Sequence, residues 1–318
     1  MNKIAVLTSG GDSPGMNACI RSVVRYGISQ GLKVYGIRRG YAGLIEDDIF
    51  QMTERSVGNI IQTGGTILKT ARCKEFMTPQ GIETAVSNLN KHGIEGLVVI
   101  GGDGSMRGAR ELINRGIMVA CAPGTIDNNL FYTDYTLGFD TAVNTVIDLI
   151  NNVRDTSMSH DRVSIIETMG AGCGDLALTA GLAAGADVIL VPEVKWSIDD
   201  VCSKLVTAKK QGKQFSLIVL SEHVCDPNDL AKMIASKTEM DCRAVILGHV
   251  QRGGAPSAFD RNLGSRCGAK CVDMLIQGES GAAGMKNGKI IYVSIEDALH
   301  GSRKFNVDEY NLAQRLSY

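Results

Sequence analysis

Short apolar runs alternate along the chain with longer stretches of helical period. Ile4–Leu7, Val34–Ile37, Leu97–Ile100, Met118–Cys121, Val163–Ile166, Val188–Val191, Leu217–Leu220, Ala244–Leu247 and Ile290–Val293 read as strands. Between them, Met16–Ser29, Gly81–Lys91, Ser105–Arg115, Ala142–Thr156, Leu176–Ala184, Val201–Gln211, Asn228–Ser236 and Arg261–Gln277 read as amphipathic helices. Continuous apolar strands interleaved with helices indicate parallel sheets covered on both faces. The expected architecture is α/β, with two doubly wound, mostly parallel, three-layer α/β/α domains. A length of 318 residues fits two domains better than one.

Composition narrows the function. The 33 Lys+Arg balance 34 Asp+Glu, which excludes a broadly basic nucleic-acid binder. An apolar content of 44% with little net charge excludes disorder. Nine cysteines form no C-x-x-C pair, and Cys267-x-x-x-Cys271 lacks a histidine pair that would complete a zinc site. Cys121, Cys173 and Cys242 sit in apolar runs, where thiols behave as small hydrophobes. The first apolar run passes straight into Gly10-Gly11, too soon for a signal peptide, and no run of 18 apolar residues follows. The expectation is a soluble, cytoplasmic protein with neither membrane nor nucleic acid as partner.

Ligands of open parallel sheets bind beyond the carboxyl ends of the strands. Those ends carry Thr8-Ser9-Gly10-Gly11-Asp12, Gly101-Gly102-Asp103-Gly104-Ser105, Pro123-Gly124-Thr125-Ile126-Asp127, Glu167-Thr168-Met169-Gly170, Ser221-Glu222-His223 and Gly248-His249-Val250-Gln251-Arg252-Gly253-Gly254. Gly-Gly leading into a helix start offers backbone N–H groups to a phosphate. The alternative for any one loop is a tight turn needing positive φ. There is no G-x-x-x-x-G-K-[ST], and no G-x-G-x-x-G opens the first helix, which disfavours a nicotinamide enzyme. Asp103 and Asp127 on neighbouring strand ends suit Mg²⁺ coordination and deprotonation of a hydroxyl, with helix capping as the alternative for Asp103. Arg72, Arg162, Arg243 and Arg252 flank these loops as candidate phosphate anchors, Arg252 foremost. His249 is either a sugar contact or a packed loop histidine.

The motifs Leu7-Thr-Ser-Gly-Gly-Asp-Ser-Pro-Gly-Met-Asn17, Ile100-Gly-Gly-Asp-Gly-Ser105, Pro123-Gly-Thr-Ile-Asp-Asn128 and Gly248-His-Val-Gln-Arg-Gly-Gly254 strongly resemble the bacterial ATP-dependent 6-phosphofructokinase family. The likeness runs from residue 3 to about residue 300. It implies a homotetramer of two-domain subunits, divided here into a nucleotide domain of residues 1–138 with 251–300 and a sugar-phosphate domain of residues 139–250 with 301–318. In such enzymes the sugar phosphate lies between domains, and a neighbouring subunit completes its site.

Position by position, the resemblance puts ATP at Gly11, Tyr41, Arg72, Cys73, Gly102, Asp103, Gly104 and Ser105. Asp103 falls on the Mg²⁺ ligand, and Asp127 on the base that takes the 1-hydroxyl proton. Thr125 and Arg72 belong to the reaction centre. Thr125, Met169, Gly170, Glu222, His249 and Arg252 fall on fructose 6-phosphate contacts, with Arg162 and Arg243 reaching across from the next subunit. Gly104 and Gly124 match the ATP-using branch, whereas the pyrophosphate-using branch has Asp and Lys there. Arg21, Arg25, Arg154, Gly185, Asp187 and Lys213 match an effector site for ADP or phosphoenolpyruvate.

The chain departs from this pattern at a few charged positions. Asn129 stands where the family has aspartate, and Ala171 where it has arginine. An arginine over a migrating phosphoryl group contributes roughly 10³–10⁵ in rate, part of which another donor such as Arg72 could supply. Asn129 attracts Mg²⁺ less than a carboxylate and relieves the repulsion that would strengthen Asp127 as a base. In the effector site Glu54 replaces an arginine and Gln211 a lysine. The leading expectation is ATP-dependent phosphorylation of fructose 6-phosphate. The alternatives are a weakly catalytic regulatory subunit and a kinase for another sugar phosphate.

Overall fold

The computed structural model describes residues 1–317. The chain divides into two compact units, one of Met1–Ile126, Leu130–Thr141 and Arg252–Arg303, the other of Asp127–Asn129, Ala142–Gln251 and the segment from Lys304 onward.

The first unit is built on β1 (Lys3–Thr8), β2 (Lys33–Ile37), β3 (Ile49–Met52), β4 (Gly96–Gly101), β5 (Met118–Pro123), β10 (Gly281–Lys286) and β11 (Lys289–Val293). Their order is β11-β10-β5-β4-β1-β2-β3. All neighbours run parallel except β3 against β2 and β11 against β10. Strand order reverses between β1 and β4, where the loops on the two sides part and leave a crevice at the carboxyl ends. Alternation along β1 covers both faces. Ile4 and Val6 join the core under α1 (Met16–Ser29) and α9 (Ala258–Ile276), and Ala5 and Leu7 join the opposite core. That second core lies under α2 (Tyr41–Ile45), α3 (Pro79–His92), α4 (Asp103–Ile113) and α10 (Ile295–Leu299).

Local chemistry sets the helix ends. Thr78 accepts the Gly81 N–H at 3.1 Å, Pro79 follows, and Gly93 closes α3 at φ 63°. Each such cap stabilises its helix by about 1 kcal/mol. Helices α1 and α9 approach closely because Gly264 and Gly268 lack side chains: a Cβ at either would lie 2.7 Å from the carbonyl of Gly15 or Cys19.

The second unit carries β6 (Val163–Thr168), β7 (Val188–Leu190), β8 (Ser216–Ser221) and β9 (Cys242–Ile246), all parallel, in the order β7-β8-β6-β9. Around it lie α5 (Phe139–Met158), α6 (Asp175–Ala183), α7 (Ile198–Lys210), α8 (Pro227–Thr238) and α11 (Val307–Leu316). Val163, Ile165, Ile218 and Leu220 pack with Val201, Leu205, Leu230 and Ile234 into its core. Both units are mostly parallel α/β assemblies, as the periodicity predicts. β3, β10 and the short helices α2, α10 and α11 are not visible in that periodicity. The sequence of β10 is Gly-Ala-Ala-Gly-Met-Lys, whose small residues hide it; Gly284 is required there because a Cβ would meet the Tyr132 ring at 2.8 Å. No helix among the described residues is long and apolar enough to cross a membrane.

Candidate active site

In the first unit, the loops after β1, β4 and β5 lock together at the crevice. The Ser9 N–H donates to the Ile100 carbonyl at 3.0 Å, extending the β1–β4 ladder. A Cβ on Gly101 would sit 2.6 Å from the Ser9 carbonyl, so only glycine allows this approach. Gly10 takes φ 85°, and its carbonyl accepts the Thr70 hydroxyl at 2.7 Å. Buried Asn17 ties in the loop at residues 63–67: its amide donates to Thr63 Oγ1 at 2.9 Å and to the Gly64 carbonyl at 3.1 Å, and its oxygen accepts the Ile67 N–H at 2.8 Å. Gly64 in turn lies directly against the Gly254 backbone.

Two helices begin near these loops, and only one begins openly. Gly10-Gly11 does not pass directly into α1, which starts at Met16 as its periodicity predicts. Asp12–Gly15 intervene, and the first residues of α1 (Met16, Asn17, Ala18 and Cys19) are buried. Helix α4 differs. Gly102 is its cap residue and offers no side-chain hydrogen bond, Gly104 is exposed, and a Cβ on Gly104 would meet nothing within 4 Å. The N–H groups of that first turn are therefore the ones open to an anion. Asp103 sits one residue inside the helix and is not its cap. Its oxygens take Arg107 Nε at 2.8 Å and Nη2 at 3.3 Å. Arg107 escaped the sequence reading, although an Asp–Arg pair at i, i+4 on a helix is a recognisable signal.

Tyr41 stacks on Phe76 with centroids 4.0 Å apart and donates its hydroxyl to the Ser105 carbonyl at 2.6 Å. Burial pushes its phenol well above the usual range, so it stays a neutral donor that holds the α4 start. Cys73 packs partly buried beside the same core, and Arg72 is exposed. Gly124 donates to the Gly101 carbonyl at 3.0 Å, and Thr125 lies beside Gly102. The expectation that both Gly104 and Gly124 clear space for a nucleotide holds in geometry for Gly104 alone. A Cβ on Gly124 would press on Met16 Cε at 2.8 Å, so that glycine serves packing. The Arg252 guanidinium abuts Gly11 with Nη1 nearest; a Gly11 Cβ would be 2.9 Å from Cζ and 3.3 Å from Nη2.

In the second unit, Asp127 and Asn128 are buried, and Asn128 adopts φ 52° while its amide donates to Asp175 Oδ2 at 3.3 Å. Met169, Gly170 and Ala171 are held from behind. Glu222 Oε1 accepts the Gly170 N–H at 3.1 Å and the Ala171 N–H at 2.8 Å, and Gln251 Oε1 accepts the Met169 N–H at 3.1 Å. Burial, then the charges of Glu222 and Asp226, push the Glu167 carboxyl upward. His249 is exposed. Gln251, wholly buried, was also missed; glutamine carries no charge to mark it.

Arg162 and Arg243 do not flank these loops. They stand at the amino ends of β6 and β9, the opposite edge of the sheet from Met169 and Glu222, and share Asp241, Arg243 at 3.2 Å. Among the residues matched to an effector site, Arg154, Gly185, Asp187 and Lys213 gather in the second unit. Arg154 donates to the Ala184 carbonyl, Lys213 pairs with buried Asp187, and both cations lie over Phe215, at 5.8 and 5.7 Å. Arg21 and Arg25 belong to α1 of the first unit, and Glu54 is exposed.

Comparison with known proteins places this geometry. A family model described as phosphofructokinase matches residues 3–275. The ATP-dependent 6-phosphofructokinases of Clostridium botulinum (strain Hall) and Clostridium tetani are 54% and 53% identical, each over the full length of both chains. A phosphofructokinase structure from Saccharomyces cerevisiae superimposes with TM-score 0.89 at 33% identity, covering all of this chain, which spans 48% of the yeast one. A pyrophosphate-dependent phosphofructokinase from Marinobacter aquaeolei shares the fold, with TM-score 0.87 at 20% identity.

Proposed function

The chain belongs to the phosphofructokinase family, and from that premise we propose that it moves the terminal phosphoryl group of ATP onto the 1-hydroxyl of fructose 6-phosphate. The observation that carries this reading is the convergence of Gly10-Gly11, the open first turn of α4 and the Arg252 guanidinium in one unit. Backbone donors there suit a polyphosphate tail, and the fork-shaped Arg252 cation beside Gly11 suits a phosphate of the acceptor. Tyr41, Ser105, Arg72 and Cys73 are the further nucleotide residues, with Gly104 leaving its first turn clear for the tail.

In the reaction, the acceptor oxygen attacks the terminal phosphorus as the bond to the bridging oxygen breaks, and ADP departs. Asp127 receives the hydroxyl proton, and Thr125, two residues before it, helps to orient the transferring group. Met169, Gly170, Glu222, His249 and Arg252 are the acceptor residues. Because Glu222 holds the backbone N–H groups of Gly170 and Ala171, it shapes that loop as well as offering an oxygen.

Mg²⁺ fits this donor set. No group of three or more His, Cys, Asp or Glu among the described residues would cage a metal. Mg²⁺ commonly takes one or two carboxylates plus phosphates, and half-exposed Asp103 at the α4 start supplies the one needed. When bound, the ion would neutralise charge on the phosphates.

The position of Arg162 and Arg243 supports a homotetramer in which each reaches a neighbour's acceptor. The cluster around Phe215 supports an anionic effector, ADP or phosphoenolpyruvate, altered by Glu54 and Gln211. A cytoplasmic location follows from the substrates of glycolysis. Nothing observed favours a purely regulatory subunit or a different acceptor. The test is a coupled assay with ATP and fructose 6-phosphate, in which wild-type turnover must exceed that of Asp127→Ala.

A further inference from the structure

Asp127, Asn128 and Asn129 belong to the second unit, whereas Ile126 before them and Leu130 after them belong to the first. Asp127 and Asn128 are buried, and Asn128 adopts φ 52°. Left-handed backbone disfavours most side chains, and asparagine is among the few that accept it. The Asn128 amide donates to Asp175 Oδ2 at 3.3 Å. Asp175 is itself buried and is the first residue of the nine-residue α6. A carboxylate is favoured at that end of a helix, so Asp175 presents a charged acceptor in a fixed place. The start of α6 is held in turn: Glu193 Oε1 accepts the N–H of its cap residue Gly174 at 2.9 Å, and a Cβ on Gly174 would lie 2.5 Å from Val191 Cβ. Contacts therefore run from a helix end to the residue next to Asp127.

We propose that Asp175 is a positioning residue for phosphoryl transfer, holding Asn128 in its left-handed conformation and so aiming the neighbouring Asp127 carboxylate. This rests on the kinase reading and extends it from the base to what orients the base. Peptide planarity carries the constraint: holding residue 128 restricts the plane it shares with Asp127, and with it the direction of the Asp127 Cα–Cβ bond. Misplacing a reacting group by about 1 Å can cost roughly 10²-fold in rate. An acceptor acting through Asn128 can therefore govern kcat while the binding groups stay in place.

The experiment is steady-state kinetics with ATP and fructose 6-phosphate, each varied in turn, on wild type, Asp175→Ala, Asp175→Asn and Asn128→Gly, with a thermal melt of each. Asp175→Ala should lower kcat about tenfold or more and leave both KM values within about threefold. Asp175→Asn, whose amide oxygen still accepts, should recover a large part of that loss. Glycine takes φ 52° freely but has no amide to donate, so Asn128→Gly should melt near wild type and be slow in kcat. It keeps the test open where Asp175→Ala melts too low to assay. Adding Asp175→Ala to Asn128→Gly, or to Asp127→Ala, should lower turnover little further, since each has already broken the same chain of contacts. An unchanged kcat in Asp175→Ala or Asn128→Gly, a KM rise that accounts for the loss, or a full additional loss in either double variant overturns the proposal. All of those outcomes presuppose a wild type faster than Asp127→Ala. A wild type no faster than Asp127→Ala sinks the kinase reading itself, and this proposal with it.

Discussion

Arg107 holds both oxygens of Asp103 from one turn further along α4, at 2.8 and 3.3 Å. The carboxylate proposed for the divalent ion is therefore already paired with a cation. Metal binding must displace that partner or share the oxygens with it. Replacing Arg107 by Gln should lower the Mg²⁺ concentration needed for half-maximal rate severalfold. Both side chains are about half exposed, so melting should shift by no more than about 0.5 kcal/mol of stability. An Mg²⁺ titration at fixed ATP, paired with a thermal melt, checks both statements.

Gly104 sits one residue further into α4, where a Cβ would meet nothing within 4 Å. The space is free, so a Gly104→Asp chain should fold normally. Its carboxylate would stand at the positive end of the helix, in the place left open for the nucleotide tail. ATP affinity should fall about tenfold or more, with the melting temperature nearly unchanged. Equilibrium binding of ATP decides it.

Much of this arrangement was legible in the sequence because strands with continuous apolar runs announce themselves. The glycines at 10, 11, 101, 102 and 104 stand at strand ends; the approach of the Ser9 carbonyl requires the one at 101, and positive φ favours the one at 10. Arg162 and Arg243 do not flank the ligand loops as expected, because a strand has two ends: sequence places an arginine beside a strand, and only register shows which edge of the sheet it reaches. Gly124 was read as clearing space when it packs on Met16, since sequence cannot say where a missing Cβ would point. Arg252 was legible as a phosphate anchor, but its contact with Gly11 joins residues far apart in the chain.

Asp260 clasps the turn that starts α5, accepting the N–H groups of Gly138 at 2.9 Å and Thr141 at 2.8 Å and the Thr141 hydroxyl at 2.5 Å. Burial pushes its carboxyl up to about 6, with Asp140 adding like charge and the three donors opposing the rise. A folded value above the unfolded one means that the native state keeps a proton the unfolded chain releases. This group's contribution is therefore fully present below about pH 4 and declines as pH rises through about 6. Asp260→Asn should remove that slope from urea-unfolding stabilities measured between those pH values. At neutral pH it should also cost about 1–3 kcal/mol, because an amide cannot accept all three donors.

Asn129→Asp and Ala171→Arg test the thinned reaction centre. If charge near the transferring group limits the rate, Ala171→Arg should raise kcat by about tenfold or more with little change in KM for ATP, since such a contact acts mainly in the transition state. Ala171 lies at φ 49°, so arginine meets the same backbone strain that alanine already bears and stability should hold. Steady-state kinetics of each single variant and of the pair give the answer. A gain from Ala171→Arg that shrinks in the Arg252→Lys background would show that the two cations do not act independently.

Gln251 is wholly buried and joins two parts of the acceptor unit. Its oxygen accepts the Met169 N–H at 3.1 Å, and its amide donates to the Gly248 carbonyl at 2.9 Å. One side chain thus fixes the Met169 loop against the turn that carries His249. Leucine has similar bulk and no polar atom, so Gln251→Leu would leave a backbone donor and acceptor without their partner and free the two segments to drift. We expect a loss of about 1–3 kcal/mol in unfolding stability. We also expect a several-fold higher KM for fructose 6-phosphate, because misplacement of binding groups is felt first in affinity. Nucleotide affinity should stay within about twofold, since the hydrogen bonds of the Gln251 side chain go to the Met169 and Gly248 backbone. Steady-state kinetics with each substrate varied in turn, alongside urea unfolding, separates these effects. A raised KM for ATP would place Gln251 on the nucleotide side and overturn this assignment.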